Sequence, residues 1–357
     1  MSESAIMEAP FDLQPNELQQ NELPKAHALQ SAEFDISIII VSFNTRDLLR
    51  ECLTAVQKEA SALRTEIFVV DNASTDGSAE MVEREFSAVE LLRNDVNLGF
   101  GRANNLAFAR ARGRYFVLLN SDAFLASGAL ARAIRHMDAN PDCALGGGLL
   151  VGRDGSWQPS ARSFHSVTGD AIVLTGLAAK FPHSRIFGSF DRTWADARIS
   201  SSVDWVPGAF SILRPQALRQ TGFFDPAFFL YYEEVDLCLR LKQAGYSVWY
   251  WPDVVVTHIG GESSRQLKTL DFSSTAAQVV LWRMRSTLLY YRKHHGIRAH
   301  LAFWMERTLY AFAMLRNSFT RNPERIARKQ HFREQRALLL QAWKDTDGGR
   351  TSPPRPW

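Results

Sequence analysis

Polar residues dominate the first 33 positions, with Gln14, Asn16, Gln19, Gln20 and Asn21 clustered, and the pattern then changes abruptly. Ile36-Ser-Ile-Ile-Ile-Val41 is a continuous, mostly β-branched run that predicts a strand covered on both faces, and so a parallel sheet. Helical spacing of Leu48, Leu49, Cys52 and Val56 follows, then a second apolar run, Ile67 to Val70, that ends in Asp71-Asn72-Ala73-Ser74-Thr75-Asp76-Gly77. After helical spacing through Met81 and Phe86, Val89 to Leu92 predicts a third strand and Tyr115 to Leu119 a fourth, which closes on Asn120-Ser121-Asp122. A polar loop, Asn94 to Gly99, and helical spacing to Arg112 lie between them, and Ala129 to Met137 predicts a further helix. This alternation predicts an α/β fold with a mostly parallel central sheet flanked by helices.

From Gly146 the pattern becomes glycine-rich, then irregular and aromatic through Trp157, Phe164, Phe187 and Trp194. Order returns in Trp205-Val-Pro207-Gly208 and Gly222-Phe-Phe-Asp225, then in a helix opened by Tyr231-Tyr232-Glu233-Glu234 and closed by Gly245. A strand over Val248 to Thr257 delivers His258. From Ile297 to Phe319, Leu301, Phe303, Trp304, Met305, Leu309, Phe312, Met314 and Leu315 recur at roughly helical intervals. Arg298, Arg307 and Arg316 fall nine residues apart, about 2.5 turns, so they are not confined to one face. The breaks divide the chain into a disordered polar leader (1–35), an α/β domain (36–265), a basic helical extension (266–345) and a disordered tail (346–357).

Of the 357 residues 46% are apolar and 22% charged, which is globular composition. The net charge of +3 hides an asymmetry: the segment from Arg283 to Asp345 carries +10 and everything else −7. Cys52, Cys143 and Cys238 stand far apart with no CxxC pair, which excludes a disulfide framework or zinc ribbon and fits a reducing cytoplasm. The leader lacks the basic and apolar regions of a signal peptide, and no apolar stretch approaches the ~18 residues of a membrane span.

Ligands of open α/β sheets bind beyond the carboxyl ends of the strands, where this chain carries Ser42, Asn44, Asp71 and Asp122. Asp71 reads either as a turn and helix cap or as a carboxylate accepting from a pyrimidine N3–H. Asp122 reads either as a cap or as an oxygen ligand for Mg²⁺ or Mn²⁺. The segment Asn97-Leu-Gly99-Phe-Gly101-Arg-Ala-Asn104-Asn105 only partly mimics a dinucleotide fingerprint, because Asn104 replaces the third glycine and the motif follows a later strand. What it supplies is a loop feeding a helix N-terminus. Glu233 and Glu234 read either as a solvated helix start or, after the aromatic run Phe223 to Tyr232, as a carboxylate pair suited to general base work. His258 alone is as compatible with a structural role as with ligation.

Together, Ile-Ile-Ile-Val-Ser-Phe-Asn44, Val-Val-Asp71-Asn-Ala-Ser-Thr-Asp-Gly-Ser, Asn97-Leu-Gly-Phe-Gly, Leu-Leu-Asn120-Ser-Asp122, Val206-Pro-Gly208 and Tyr-Tyr-Glu233-Glu234-Val-Asp-Leu resemble the family 2 glycosyltransferases, nearest the bacterial rhamnosyltransferase-like branch. The resemblance covers about Ile36 to Gly261. It implies a GT-A fold with a donor half (36–145) and an acceptor half (146–265), a nucleotide-sugar donor (dTDP- or UDP-linked), Mg²⁺ or Mn²⁺, and inversion at the anomeric carbon. By position it assigns Asp71 to the base, with Ser42, Asn44, Gly99, Asn104 and Asn120 around the nucleotide-sugar. Asp122 and His258 fall to the metal, Glu234 to the catalytic base, and Glu233 to its supporting neighbour. Two departures stand out: Asn120 replaces the first acid of a DxD-like element, and Glu234 replaces an Asp.

The resemblance implies transfer of a sugar, rhamnose in that branch, to a hydroxyl of a glycan or lipid-linked acceptor during cell-envelope polysaccharide synthesis. Two rivals remain: a sugar-nucleotide pyrophosphorylase, and a catalytically silent carbohydrate-binding scaffold. The first would need a Gly-rich, basic loop after the first strand, where this chain has Ser-Phe-Asn-Thr-Arg. The basic 283–345 segment fits either an anionic membrane surface, with the enzyme peripheral to its inner face, or packing on the core. Nucleic acid is not expected, because the −7 body opposes a broad phosphate footprint.

Overall fold

The computed structural model describes residues 33–260, 274–318 and 322–353. All but the last residues of the expected leader, and the boundary expected near 265, lie outside them. The first half is built from β1 (Phe34–Ser42), α1 (Arg46–Ala60), β2 (Thr65–Asp71), α2 (Ser78–Glu85), β3 (Glu90–Arg93), α3 (Phe100–Phe108) and β4 (Gly113–Asn120). Next come β5 (Ala123–Leu125), α4 (Ala129–Ala139), β6 (Cys143–Val151), β7 (Trp157–Gln158), α5 (Val167–Leu174) and α6 (Leu177–Lys180). The second half continues with β8 (Ser201–Val203), β9 (Phe210–Leu213), α7 (Pro215–Thr221), α8 (Glu233–Gln243) and β10 (Ser247–His258). Three long helices follow, α9 (Ser274–His295), α10 (Arg298–Arg316) and α11 (Pro323–Asp345).

One sheet runs β3-β2-β1-β4-β9-β6-β10-β5, with β7 beside β6 and β8 beside β10. The long pairings, β1 with β2 and β4 and β6 with β10, are parallel; β9 joins β4 to β6 antiparallel. The uninterrupted apolar run of β1 has the expected cause: Ile36, Ile38 and Ile40 pack beneath α1, whereas Ile39 joins Phe68 and Phe108 on the opposite face. The expected α/β fold with flanking helices and a C-terminal helical extension is therefore present.

Two segments read differently from their pattern. The glycine-rich stretch after Cys143 is a core strand, because β-carbons at Gly146, Gly147 and Gly148 would overlap the Trp251 ring, the Val206 side chain and the Val254 carbonyl. The expected disordered tail does not begin at 346. Thr346 is fully buried, and the Gly348 carbonyl accepts from Arg292 Nε at 3.2 Å, which folds residues 346–353 back onto α9.

No helix among the described residues is long and apolar enough to cross a membrane.

Candidate active site

The parallel register sets Ser42 beside Asp71 and Val41 beside Asn120, so the carboxyl ends of β1, β2 and β4 form one ledge. Asp71 is 4% exposed. Its Oδ2 accepts the Ser74 N–H at 3.0 Å, while Oδ1 is buried without a partner. Burial pushes this carboxyl above its ordinary range against the pull of Ser74. Asn44, at φ 53°, is tied to the same loop: its N–H donates to Ser74 Oγ at 2.9 Å, and its Oδ1 accepts the Thr75 N–H at 2.8 Å. Ser42 Oγ lies 3.1 Å from Thr45 Oγ1, which donates to Ser121 Oγ at 2.8 Å, a buried hydroxyl chain linking the β1 and β4 ends.

Gly99 and Asn104 hold the loop in place. Gly99 sits at φ +79°, and a β-carbon there would overlap the Phe229 carbonyl oxygen, which accepts the Phe100 N–H at 3.0 Å. Asn104 is buried, and its Nδ2 donates to Phe100 O within its own helix at 2.9 Å. Asn72 was not singled out in the sequence. Its Oδ1 accepts from Asn94 Nδ2 at 2.8 Å and its Nδ2 donates to Gly99 O at 3.2 Å, fastening the loop to the β2 end.

Asp122 and His258 meet because β5 and β10 pair antiparallel, with His258 opposite Ala123. His258 Nε2 stands 3.5 Å from Asp122 Oδ1 and 3.4 Å from Asn120 Nδ2. Gln158 grips the histidine from behind: its Oε1 lies 3.0 Å from Nδ1, and its Nε2 donates to the His258 carbonyl at 2.8 Å. An acceptor at Nδ1 places the ring proton there and leaves the Nε2 lone pair facing Asp122, the orientation a metal ligand needs. Asp122 Oδ2 accepts the Gly260 N–H at 3.2 Å. The pair thus offers one carboxylate oxygen and one imidazole nitrogen. No group of three or more acidic, His or Cys ligands occurs among the described residues, so donor oxygens or water must complete any coordination shell.

Glu233 and Glu234 open α8 after two successive residues, Tyr231 and Tyr232, in the left-handed region at φ 69° and 70°. Two bulky residues there mark a strained entry held by its surroundings. Tyr232 and Phe228 are buried beneath the helix start, and the Oε2 atoms of both glutamates are buried without a hydrogen-bond partner. Burial, then the adjacent Glu234, pushes Glu233 well above the ordinary carboxylate range. Burial raises Glu234 too, but the N–H groups of Glu234 and Gly208 and the charges of Arg162 and His165 oppose the shift. Both carboxyls are therefore pushed upward, and the groups that oppose the shift act on Glu234 from across the fold.

Gly208 connects the two halves of the site. Asn120 N–H donates to Ala209 O at 3.1 Å where β4 meets β9, and Gly208, one residue earlier, faces Glu234. Arg162 stacks over Trp205, its guanidinium carbon 5.1 Å from the ring centre, and bridges to Asp191 at 3.2 Å. His165 Nδ1 lies 2.8 Å from Asp170 Oδ1 and 3.2 Å from Tyr232 Oη. Gln158, Arg162 and His165 carried no sequence signal, being single polar residues in the irregular stretch after β6. A surface cleft of about 350 Å³, lined in part by Arg185, Arg192 and Trp194, includes none of Asp122, His258, Glu233 and Glu234 in its lining.

The model of glycosyl transferase family 2 matches residues 37–235, more than half of the chain. The chain is 26% identical over 237 residues to the N-acetylglucosaminyl-diphospho-decaprenol L-rhamnosyltransferase of Mycobacterium tuberculosis, covering 62% of this chain and 75% of that protein. It is 25% identical over 272 residues to the rhamnosyltransferase WbbL of Escherichia coli, covering 71% and 92%. Among solved structures, the mannosyltransferase PcManGT of Pyrobaculum calidifontis, in complex with GDP-Man and Mn²⁺, superposes with a TM-score of 0.51 at 16% identity, covering 92% of this chain and 91% of that one. GalNAc-T7 with UDP, GalNAc and Mn²⁺ gives 0.51 at 14% identity, covering 88% and 56%. The structural likenesses establish the shared GT-A architecture, and the family match extends from β1 into α8, the span that carries Asp71, Asp122, Glu233 and Glu234. The chain is a glycosyltransferase and belongs to glycosyl transferase family 2.

Proposed function

We propose that this chain is a metal-dependent inverting glycosyltransferase of bacterial cell-envelope polysaccharide synthesis. In this reading it moves a sugar, rhamnose by analogy with the two relatives, from a dTDP- or UDP-linked donor to a hydroxyl of a glycan or lipid-linked acceptor. It acts in the cytoplasm, peripheral to the inner membrane face through the 283–345 segment. The observation that carries the reading is the glutamate pair, each with a buried, unpartnered oxygen, joined through Gly208 and Asn120 to the Asp122–His258 pair.

Asp71 offers its unpartnered Oδ1 to a base N3–H, with Asn44 and Ser42 shaping the ledge around it. Mg²⁺ or Mn²⁺ would be held by Asp122 and His258, and when bound would supply positive charge against the departing nucleoside diphosphate. Glu234 accepts the proton of the acceptor hydroxyl as the oxygen attacks the anomeric carbon from the face opposite the leaving group. Glu233, whose carboxyl is pushed upward by burial and by Glu234, is its supporting neighbour. Gln158 holds the His258 ring, and Arg162 and His165 lower the proton affinity of Glu234.

Glu234→Gln should abolish transfer and leave donor affinity near wild type. Comparable kcat in that variant would sink the assignment of the base. Asp122→Ala should remove both activity and its response to Mn²⁺ titration, and a wild-type titration curve would exclude Asp122 as a ligand. Thermal stabilisation by dTDP-, UDP- and GDP-sugars with metal identifies the donor, because a ligand that binds the folded state raises its stability.

A further inference from the structure

Packing and membrane contact were both open for the basic extension, and the helices divide them by face. α9 contributes Leu289, Tyr290 and Tyr291 to the core beneath α8, while Leu281, Met284, Phe303, Tyr310, Leu339 and Ala342 close the seam between α9, α10 and α11. The outer side of α10 has a different character. Ile297, just before its first residue, is 77% exposed, Leu301 59%, Trp304 53%, Phe312 64% and Leu315 58%. At 100° per residue these five fall within an arc of about 80°, along a line of roughly 27 Å. Thr308 is the polar residue inside that arc.

Charge is placed around the stripe in a definite way. On the same helical projection Arg298 and Arg316 lie about 80° to one side of its centre and Arg307 about 100° to the other. Arg307 leans over the Trp304 ring, 4.4 Å from its centre. The one acid of α10, Glu306, points the opposite way and accepts the Tyr310 hydroxyl at 2.5 Å. α5 packs against α10 and adds Val173 and Leu174, also exposed. α5 follows directly on His165, which contacts Tyr232 at the start of the glutamate helix.

We propose that α10 lies in the headgroup layer of an anionic lipid bilayer, with the stripe inserted and its flanking arginines raised to the phosphates. Scattered exposed apolar residues are ordinary on soluble proteins; a contiguous stripe edged by cations on both sides and free of acids is the composition of an interfacial helix. A second copy of this chain fits less well, because a two-fold contact through the stripe sets its arginines against their own copies. The inference deepens the membrane placement proposed above by naming the face, and it does not depend on the chemistry at Glu234.

The test is co-sedimentation of the full chain with phosphatidylglycerol/phosphatidylcholine vesicles and with phosphatidylcholine alone. Wild type should partition onto the anionic vesicles and be released by salt. Leu301→Gln with Phe312→Gln, and separately Arg298→Glu with Arg316→Glu, should each lower that partition by at least about tenfold at an unchanged Tm. Equal co-sedimentation of the Leu301/Phe312 variant overturns the proposal. So does a wild-type dimer in solution that this variant converts to monomer without any vesicle binding by wild type. Turnover of a soluble acceptor by a wild type that ignores vesicles would overturn the membrane face and leave the catalytic reading standing; vesicle binding without turnover would do the reverse.

Discussion

At the scale of single residues, the chemistry turns on two adjacent carboxyls that differ only in their partners. Glu233 is 2% exposed and pushed well up by burial; in an acid with a raised folded pKa, ionisation weakens the fold as pH rises through it. Glu233→Gln should therefore melt at a higher Tm than wild type at pH 8, with the gap closing toward pH 4, and should retain transfer. A melt with no pH-dependent gap would contradict the buried, protonated state. Glu234 must be ionised to act, and burial raises it as well. The acidic limb of kcat/KM should consequently lie above the ~4.3 of an ordinary glutamate, with activity falling as pH drops through it. Sequence alone placed Asp71, Asp122, Glu233 and Glu234 at strand ends and a helix start. The family resemblance ranked Glu234 first by its place in the motif, but the groups that distinguish the two, Gly208, Arg162 and His165, reach Glu234 only through the fold.

At the scale of elements, joints matter more than the elements they join. Gly99 lets the loop before α3 touch the Phe229 carbonyl, and nothing with a β-carbon fits there. Gly99→Ala combines an overlap with an unfavourable positive φ and should lose about 2–4 kcal/mol in denaturant unfolding, with donor affinity falling alongside. Loss under 1 kcal/mol would mean the loop relaxes freely. The alternation of strands and helices through Asn120 was legible because β1, β2 and β4 are buried on both faces and print long apolar runs, while β3, at the sheet edge, shows only a short one. β6 was hidden for a physical reason: Gly146, Gly147 and Gly148 make room for Trp251, Val206 and Val254, and so break its apolar run into two three-residue pieces. β7, β8 and β9 are two to four residues long, too short to show any period.

At the scale of the whole molecule, Asp236 fastens the extension to the catalytic domain. It is fully buried, and its carboxylate meets Arg240 Nε at 2.8 Å on its own helix and Lys293 Nζ and His294 Nε2, each at 2.6 Å, from α9. Burial alone would raise this group, but the His294 hydrogen bond and the charges of Arg240 and Lys293 outweigh it and hold the carboxyl at about 2. A depressed acid stabilises the fold above its unfolded pKa and loses that contribution as pH falls through its folded one. The docking of α9 should accordingly weaken between about pH 4 and pH 2. Asp236→Ala should lose on the order of 1–3 kcal/mol at neutral pH, since it removes the acceptor that Arg240, Lys293 and His294 share while Lys293 keeps Asp225 and Arg240 keeps its carbonyl partners. An unchanged urea midpoint would show that apolar packing of Tyr290 and Tyr291 suffices by itself. The sequence by itself determined the α/β class, the family motifs, the adjacent glutamate pair and the basic character of the extension, because runs, turns and charge are properties of neighbours along the chain. Only the tertiary structure decided that an oxygen of each glutamate is buried without a partner and that His258 faces Asp122. It also decided that the extension's charge serves two purposes, part clamped on Asp236 and Asp345 and part framing the α10 stripe. Those outcomes depend on burial and on contacts between residues tens to more than a hundred positions apart, which no local pattern encodes.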